Sequence, residues 1–188
     1  MKEEFSETMP RIRTGRRIYY NIFSHFYDGF IKLHSHNYGA ETRKFLADSA
    51  QLENKTSAKV LNICCGTGSV ILSFFERFPD ITAIGYDFSH GMLLKAHEKD
   101  SHRRLVLIEG DAANLPFKDN LFDAVCCSHA LYELKGPVRR EALSEMRRVV
   151  KSNGLVLIME HEVPRKSFIK MLFYLRMLMM GPKDSYEF

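Results

Sequence analysis

Three segments of the chain carry residues suited to ligand chemistry, and each of them follows a short apolar run. The first is Gly66-Thr67-Gly68, which comes directly after the run that ends in Cys64-Cys65. Two glycines there would let the backbone approach a ligand closely, although a structural tight turn uses the same residues. Ile71 stands where a dinucleotide-binding G-x-G-x-x-G pattern has its third glycine, so that pattern is incomplete.

The second and third segments each place a carboxylate after an apolar run. Asp87 follows Ile84-Gly85-Tyr86, where an acid can accept both hydroxyls of a ribose, although an aspartate at this place also caps helices. Asp111 follows Ile108-Glu109-Gly110 and can accept from an exocyclic adenine amine, while the next backbone N–H donates to the ring. Three such segments in order are much less expected by chance than any one of them.

The elements that must position these residues alternate between strands and helices. The patterns predict strands at 59–64, 81–86, 105–108, 122–128 and 155–159 and helices at 69–78, 89–96 and 137–150, the last ended by Asn153-Gly154. This alternation is typical of a parallel sheet with right-handed crossovers, which binds ligands at the carboxyl ends of its strands. The three segments are therefore expected at one edge of the sheet.

Four segments, taken together, resemble the class I S-adenosylmethionine-dependent methyltransferases in order and spacing. They cover about residues 58–160 and read VLNICCGTGSV, IGYDFSHGML, EGDAANLPFKDNLFDAV and ALSEMRRVVKSNGLVLI. The tail 168–188, FIKMLFYLRMLMMGPKDSYEF, is similar to the region after the fifth strand in the menaquinone and ubiquinone C-methyltransferases, in the methyltransferase type 11 group. The resemblance implies an α/β, Rossmann-like, three-layer fold with a mostly parallel sheet. It also implies the cofactor S-adenosyl-L-methionine, with S-adenosyl-L-homocysteine as product.

The resemblance also implies which residues bind the cofactor. By this resemblance, Gly66 and Gly68 bind the methionine portion, Asp87 binds the ribose, and Asp111 with Ala112 binds the adenine. The remaining residues that we expect to contact the cofactor are Phe88 and Met92 on the adenine, Ser128 at the methionine portion, and Asn62 and Cys64 in the first motif.

Three features depart from the family pattern. Asn62 stands where the family usually has an acid, and its amide can hydrogen-bond the cofactor's ammonium group but brings no negative charge to it. Cys64 stands where the family usually has glycine. No strand pattern follows Met159, so the C-terminal strand hairpin of the fold is predicted to be missing and the fifth strand to be an edge.

The residues on the acceptor side are predicted less specifically. His129, just past the fourth predicted strand, is the best-placed general base, although a lone histidine is more often structural. Tyr20 and Tyr27, in an aromatic-rich helix that resembles the family's lid helix, and Tyr132 are predicted to face the acceptor. The four cysteines form two adjacent pairs without zinc-type spacing, so no metal site is predicted.

The chain divides into three predicted regions. Residues 1–17 form a flexible arm, 18–160 the cofactor-binding domain with its lid helix, and 161–188 an apolar helical segment. The apolar segment suits either a core or dimer helix or a cover for a lipophilic acceptor. Because the fifth strand lacks its usual neighbour, we predict a homodimer through residues 155–180. Arg11, Arg13, Arg16 and Arg17 suit a solvated arm or a peripheral membrane contact.

Composition limits the classes of function. The net charge of +4 is too small to predict a nucleic-acid partner, and the polar N-terminus lacks the apolar region of a signal peptide, so a cytoplasmic location is predicted. The leading hypothesis is a methyltransferase that acts on a small, lipophilic molecule such as a quinone precursor or a lipid. The alternatives are a degenerate, non-catalytic S-adenosylmethionine-binding protein and, with less support, an NAD-dependent oxidoreductase.

Overall fold

A five-stranded parallel sheet forms the centre of the protein in a computed structural model that describes residues 11–34, 39–134, 136–160 and 171. Its strands are β1 (Lys59–Ile63), β2 (Thr82–Asp87), β3 (Val106–Glu109), β4 (Phe122–Ser128) and β5 (Val150–Met159). The spatial order is β3-β2-β1-β4-β5, and every pair is parallel. The chain order reverses at β1, so the switch point lies between β1 and β4.

Helices cover both faces of the sheet, as its apolar strands require. The helices are α1 (Arg11–His34), α2 (Gly39–Asp48), α3 (Ser69–Arg77), α4 (His90–Lys99) and α5 (Gly136–Val149), with a 3-10 helix at Leu131–Glu133. One core contains residues of α2 and α3, and the other contains residues of α5. Consecutive residues of a strand face opposite sides, and Cys126 and Cys127 accordingly lie in different cores. The predicted three-layer α/β fold is confirmed.

The boundary between α5 and β5 differs from the prediction. The predicted helix stop at Asn153-Gly154 is wrong, because these residues lie inside β5. Val150 already pairs with Phe122, and the next aligned pair is Leu155 with Ala124, so residues 151–154 of β5 lie opposite the single residue Asp123 and form a bulge. A side chain at Gly154 would come within 2.8 Å of the Asp123 carbonyl oxygen, which explains the glycine there.

Helix α1 crosses above the carboxyl end of the sheet and packs on α4. It begins at Arg11, so part of the region predicted as a flexible arm is helical. The Asn21 carboxamide oxygen accepts from the Ser89 hydroxyl at 2.8 Å and from the Gly91 N–H at 3.0 Å, which fixes α1 to the start of α4. Residues 1–10 and the predicted apolar helix lie outside the described residues, apart from Met171.

Candidate functional site

The loop between β1 and α3 has the backbone conformation that its glycines allow. Gly66 and Gly68 have φ angles of +54° and +76°, in the left-handed region that favours glycine. A Cβ at Gly66 would meet nothing within 4 Å, so the backbone there is open on that side. A Cβ at Gly68 would lie 2.9 Å from Ala96 Cβ, so the second glycine permits close packing of α3 on α4.

Asp87 ends β2 and holds two loops together. Its carboxylate accepts from the Gly66 N–H at 2.8 Å and from the Ser89 N–H at 2.9 Å. The side chain is buried, and burial raises its pKa to about 6, against the opposing effect of these hydrogen bonds. The structure thus places Asp87 beside the glycine loop, as the sequence predicts. The carboxylate also stabilises the conformation of that loop through its hydrogen bond from Gly66.

The third predicted segment forms a tight turn after β3. The Asp111 carboxylate accepts from the Ala113 N–H at 3.0 Å, and Ala112 is buried. A side chain at Gly110 would overlap the Tyr86 hydroxyl, 1.9 Å away, so only glycine fits there. The Arg148 guanidinium of α5 holds the loop that follows, by donating to the carbonyls of Leu115 and Phe117 at 3.0 and 2.7 Å.

Asn62 is buried in β1 and presents an unused acceptor. Its side-chain NH₂ donates to the carbonyls of Ile63 at 3.3 Å and Cys126 at 3.2 Å. Its Oδ1 has no hydrogen-bond partner among the residues that the structure describes. An orphaned buried acceptor is costly for the protein alone, so it suits a bound donor such as an ammonium group.

The side chain of Cys64 packs against the core and not toward the open side of the loop between β1 and α3. It has a φ of +49° and packs with Cys127 against the core that contains α5. Hydrogen bonding with Cys127, followed by burial, raises the pKa of the Cys64 thiol. All four cysteines are free thiols. Within the described ranges, no three His, Cys, Asp or Glu side chains are close enough to hold a metal ion.

The predicted acceptor-side residues from distant segments meet in one aromatic cluster. Tyr20 and Met92 are buried at its centre, and the rings of Tyr20 and Phe88 lie 5.7 Å apart, edge to face. The other members of this aromatic cluster are Tyr19, Phe23, Tyr27 and Tyr132. Thus Tyr20, Tyr27 and Tyr132 are brought together with Phe88 and Met92, beside Asp87.

Ser128 and His129 lie at the carboxyl end of β4. Ser128 is aligned with Met159 of β5, and the His129 N–H donates to the Met159 carbonyl at 2.7 Å. His129 has a φ of +52°, a conformation that is uncommon for residues other than glycine. Both residues are half-buried at the edge where the other predicted residues lie. Their roles toward the cofactor and the acceptor stay predictions.

Two residues at the site were missed by the sequence reasoning. Glu133, in the 3-10 helix after β4, is 9% exposed and accepts a hydrogen bond from the Tyr20 hydroxyl. Asp28 of α1 accepts from the Thr67 hydroxyl at 2.8 Å and pairs with Lys99 at 2.6 Å. Each contact joins residues at least 39 positions apart in the chain, so no local sequence pattern predicts either of them. Both contacts fasten α1 to the site.

Beside the Asp28 contact lies a cavity of about 440 Å³ between α1, α2 and the first turn of α3. Its charged lining residues are Asp28, Lys32, Arg43 and Lys99. Burial lowers the pKa of Lys99, while its hydrogen bond to Asp28 opposes that shift.

Comparison with known proteins decides the family. A family profile described as a methyltransferase domain matches residues 60–154. The demethylmenaquinone methyltransferase of Bacillus licheniformis is 33% identical over 159 residues, which cover 83% of this chain and 68% of that enzyme. The chain belongs to the class I S-adenosylmethionine-dependent methyltransferases. The predicted family and enzyme class are thereby confirmed, and the cofactor of this family is S-adenosylmethionine.

Two solved structures share the fold of this chain. The YcgJ protein of Bacillus subtilis is 27% identical, with a TM-score of 0.60, over 72% of this chain and 58% of that one. A Methanococcus maripaludis protein, provisionally named an S-adenosylmethionine-dependent methyltransferase, shares the fold at 18% identity. Its TM-score is 0.60, over 86% of this chain and 72% of that one. The chain spans only 63% and 51% of two staphylococcal demethylmenaquinone methyltransferases.

The residues present fit the family's cofactor. The open backbone at Gly66 leaves room for a ligand, and Asn62 offers an unpaired acceptor to an ammonium group.

No helix in the described ranges has both the length and the apolar character to cross a bilayer. The cytoplasmic location stays a prediction.

Proposed function

We propose that this methyltransferase acts on a small, lipophilic acceptor that binds against the aromatic cluster. The observation that carries the proposal is the meeting of Tyr20, Tyr27 and Tyr132 with Phe88 beside Asp87. A wall of aromatic rings binds flat, apolar molecules well, because such rings bury a large area and stack. We expect the acceptor to reach the cofactor from this cluster, because Phe88 of the cluster directly follows Asp87, the residue that we expect to bind the ribose.

The chain's own residues would bind and orient both reactants. The backbone at Gly66 and Gly68 would hold the methionine portion of the cofactor, Asp87 the ribose, and Asp111 with Ala112 the adenine. When bound, the cofactor supplies an electrophilic methyl group on a sulfonium sulfur. The aromatic cluster would exclude water and align the acceptor atom, which is the main task in an in-line displacement. His129 is our candidate for taking the acceptor's proton.

The acceptor class that we favour is a quinone precursor. The support is the name of the Bacillus licheniformis relative, a demethylmenaquinone methyltransferase, together with the aromatic cluster. The alternatives are a lipid acceptor and a degenerate protein that binds the cofactor without turnover. Asn62 and Cys64, which depart from the family pattern, are the residues that favour the degenerate protein.

Calorimetry and a methylation assay separate these candidates. We expect S-adenosylmethionine to bind the purified chain and radioactive methyl to pass to a reduced demethylated naphthoquinone. Tyr132→Ala should raise the KM for that acceptor while cofactor affinity changes little. Cofactor binding without transfer to any lipophilic acceptor would favour the degenerate protein, and no binding at millimolar cofactor would refute the proposal.

We also propose a peripheral contact between α1 and a membrane surface. Ile18, Ile22 and Phe26 repeat every four residues on one side of α1 and are 57%, 64% and 69% exposed. Replacing all three by serine should abolish cosedimentation with vesicles that contain phosphatidylglycerol. Phe45→Ser, at a 72% exposed position of α2, is the matched control. Unchanged cosedimentation of the triple variant would contradict the contact.

The homodimer through residues 155–180 stays a proposal, and most of that range lies outside the described residues. Its support is β5, which lies at one end of the described sheet with Ile158 47% exposed. Sedimentation velocity should show a dimer at micromolar concentration and a monomer for Ile158→Lys. A wild-type monomer at high micromolar concentration would rule it out.

A further inference from the structure

The cavity between α1, α2 and the first turn of α3 lies outside the regions discussed so far as binding sites. Its volume of about 440 Å³ is within the range of about 300–1,000 Å³ that small-molecule sites have. Among the described residues that line it, none belongs to the aromatic cluster and none is predicted to contact the cofactor or the acceptor. The cavity is therefore a separate candidate for ligand binding.

Two of the four charged side chains that line the cavity compensate each other. The Lys99 ammonium pairs with the Asp28 carboxylate at 2.6 Å. The same ammonium donates to the hydroxyl oxygens of Thr67 at 2.7 Å and Ser69 at 2.9 Å. Because an ammonium has three donors, these contacts use all of them. The pair of Asp28 and Lys99 therefore brings no net charge to the cavity.

The other two charged side chains, Lys32 and Arg43, give the cavity an excess of positive charge. Neither has a hydrogen-bond or ion-pair partner in the part of the chain that the structure describes. Burial is the main cause of the lowered pKa of Lys99, its contact with Asp28 opposes the shift, and the charge of Arg43 adds to it. The lining thus carries two uncompensated cations, which an anion would balance.

Ser69 adds a hydroxyl donor to the same lining. It is the first residue of α3, and its Oγ accepts from the Lys99 ammonium. Its hydroxyl proton has no acceptor among the residues from 11 to 160 that the structure describes, so it can be donated to a ligand. A guanidinium, an ammonium and a hydroxyl are the donors that bind phosphate and carboxylate oxygens. Ile31 and Ala40 also line the cavity and offer apolar surface to a short carbon chain.

We infer that this cavity is a binding site for a small phosphate monoester, which Arg43, Lys32 and Ser69 hold by its phosphate group. Two uncompensated cations suit a dianionic phosphate better than a single carboxylate, because each negative charge then has a partner. The guanidinium of Arg43 can donate two parallel hydrogen bonds to phosphate oxygens. The inference goes beyond the proposed function and does not depend on it, since no residue of the aromatic cluster takes part.

Titration calorimetry with glycerol 3-phosphate, in a chloride buffer of constant ionic strength, tests the site. We expect saturable binding of one molecule per chain, and acetate should bind about tenfold more weakly. Arg43→Gln should weaken binding of glycerol 3-phosphate by about tenfold, because it removes a charge-assisted contact. Arg140→Gln removes the same charge from an exposed position of α5, which covers the other face of the sheet, and should leave the affinity unchanged.

A second variant keeps the test decisive if Arg43→Gln does not fold. Lys32→Gln lies at an exposed position of α1 and should weaken binding of glycerol 3-phosphate by about threefold. Saturating S-adenosylmethionine should leave that affinity unchanged, because the residues predicted to bind the cofactor do not line the cavity. No saturable binding, equal losses in the Arg43→Gln and Arg140→Gln variants, or competition between the two ligands would overturn the inference.

Discussion

At the scale of single residues, Asp87 gives the sharpest prediction, because its pKa lies near 6. The folded protein therefore binds a proton at this carboxyl up to a higher pH than the unfolded chain does. As pH rises toward 6, ionisation of the buried carboxyl lowers the free energy of unfolding. Ribose hydroxyls need the ionised form as acceptor. Cofactor affinity should therefore fall several-fold between pH 7.5 and 5.

The matched variant is Asp87→Asn, which removes the titration. Losing one charge-assisted hydrogen bond costs about 1.5–3 kcal/mol, so the variant should bind the cofactor at least tenfold more weakly at pH 7.5. Its affinity should be nearly independent of pH over the same interval. Calorimetry at three pH values checks both statements, and a wild-type affinity that stays constant would refute the assignment of this pKa to ribose binding.

Asn62 supports a second prediction at this scale, in which stability and binding change in opposite directions. Asn62→Asp removes the two hydrogen bonds that its NH₂ donates to main-chain carbonyls and buries a charge. The unliganded protein should lose about 2–3 kcal/mol of stability. The cofactor's ammonium would then compensate the charge, so we expect tighter cofactor binding than in the wild type. Thermal unfolding with and without S-adenosylmethionine measures both quantities, and weaker binding would refute the prediction.

At the scale of elements, the glycine loop depends on one glycine that packs closely. Gly68→Ala would force a side chain into the left-handed region at 2.9 Å from Ala96 Cβ, where α3 meets α4. We expect a loss of about 2 kcal/mol in the free energy of unfolding and weaker cofactor binding. Gly15→Ala is the control, because a Cβ in that part of α1 meets nothing within 4 Å and alanine favours helix. Urea denaturation of the two variants and the wild type measures these differences, and equal stabilities of the Gly68→Ala and Gly15→Ala variants would contradict the packing argument.

The elements also show what the sequence could and could not predict. Alternating apolar runs predict all five strands and the edge at which Gly66, Asp87 and Asp111 meet, because parallel strands end on one side. The end of α5 was predicted to within one residue, but the start of β5 was placed five residues too late, since Val150 already pairs with Phe122 and Asn153-Gly154 lies inside the strand. The Tyr20–Glu133 hydrogen bond joins residues 113 positions apart, and no local pattern encodes such a distant contact.

At the scale of the whole molecule, the candidate site and a cluster of ion pairs around Asp123 lie at opposite ends of the sheet. Asp123 at the start of β4 accepts from the Lys59 N–H at 3.0 Å, from the Lys55 ammonium at 3.2 Å, and from the Lys151 ammonium at 2.9 Å. These contacts connect β4 with β1, with the segment before β1, and with the bulge of β5. The opposite edge of the sheet, which carries Asp87 and Glu133, is separated from these contacts by the length of the strands.

This separation gives the last prediction, which concerns stability and pH. Burial alone would raise the pKa of Asp123, but its hydrogen bonds from Lys59, Lys151 and Lys55 hold it below the usual value. A lowered pKa contributes stability above the unfolded value of about 4, and that contribution is lost as pH falls through the folded value. Asp123→Asn should therefore lose about 1–3 kcal/mol in urea denaturation at pH 7, and progressively less as pH falls through the lowered pKa of Asp123. Cofactor affinity should not change, and a weakened affinity in the folded variant would show that the two ends of the sheet are coupled.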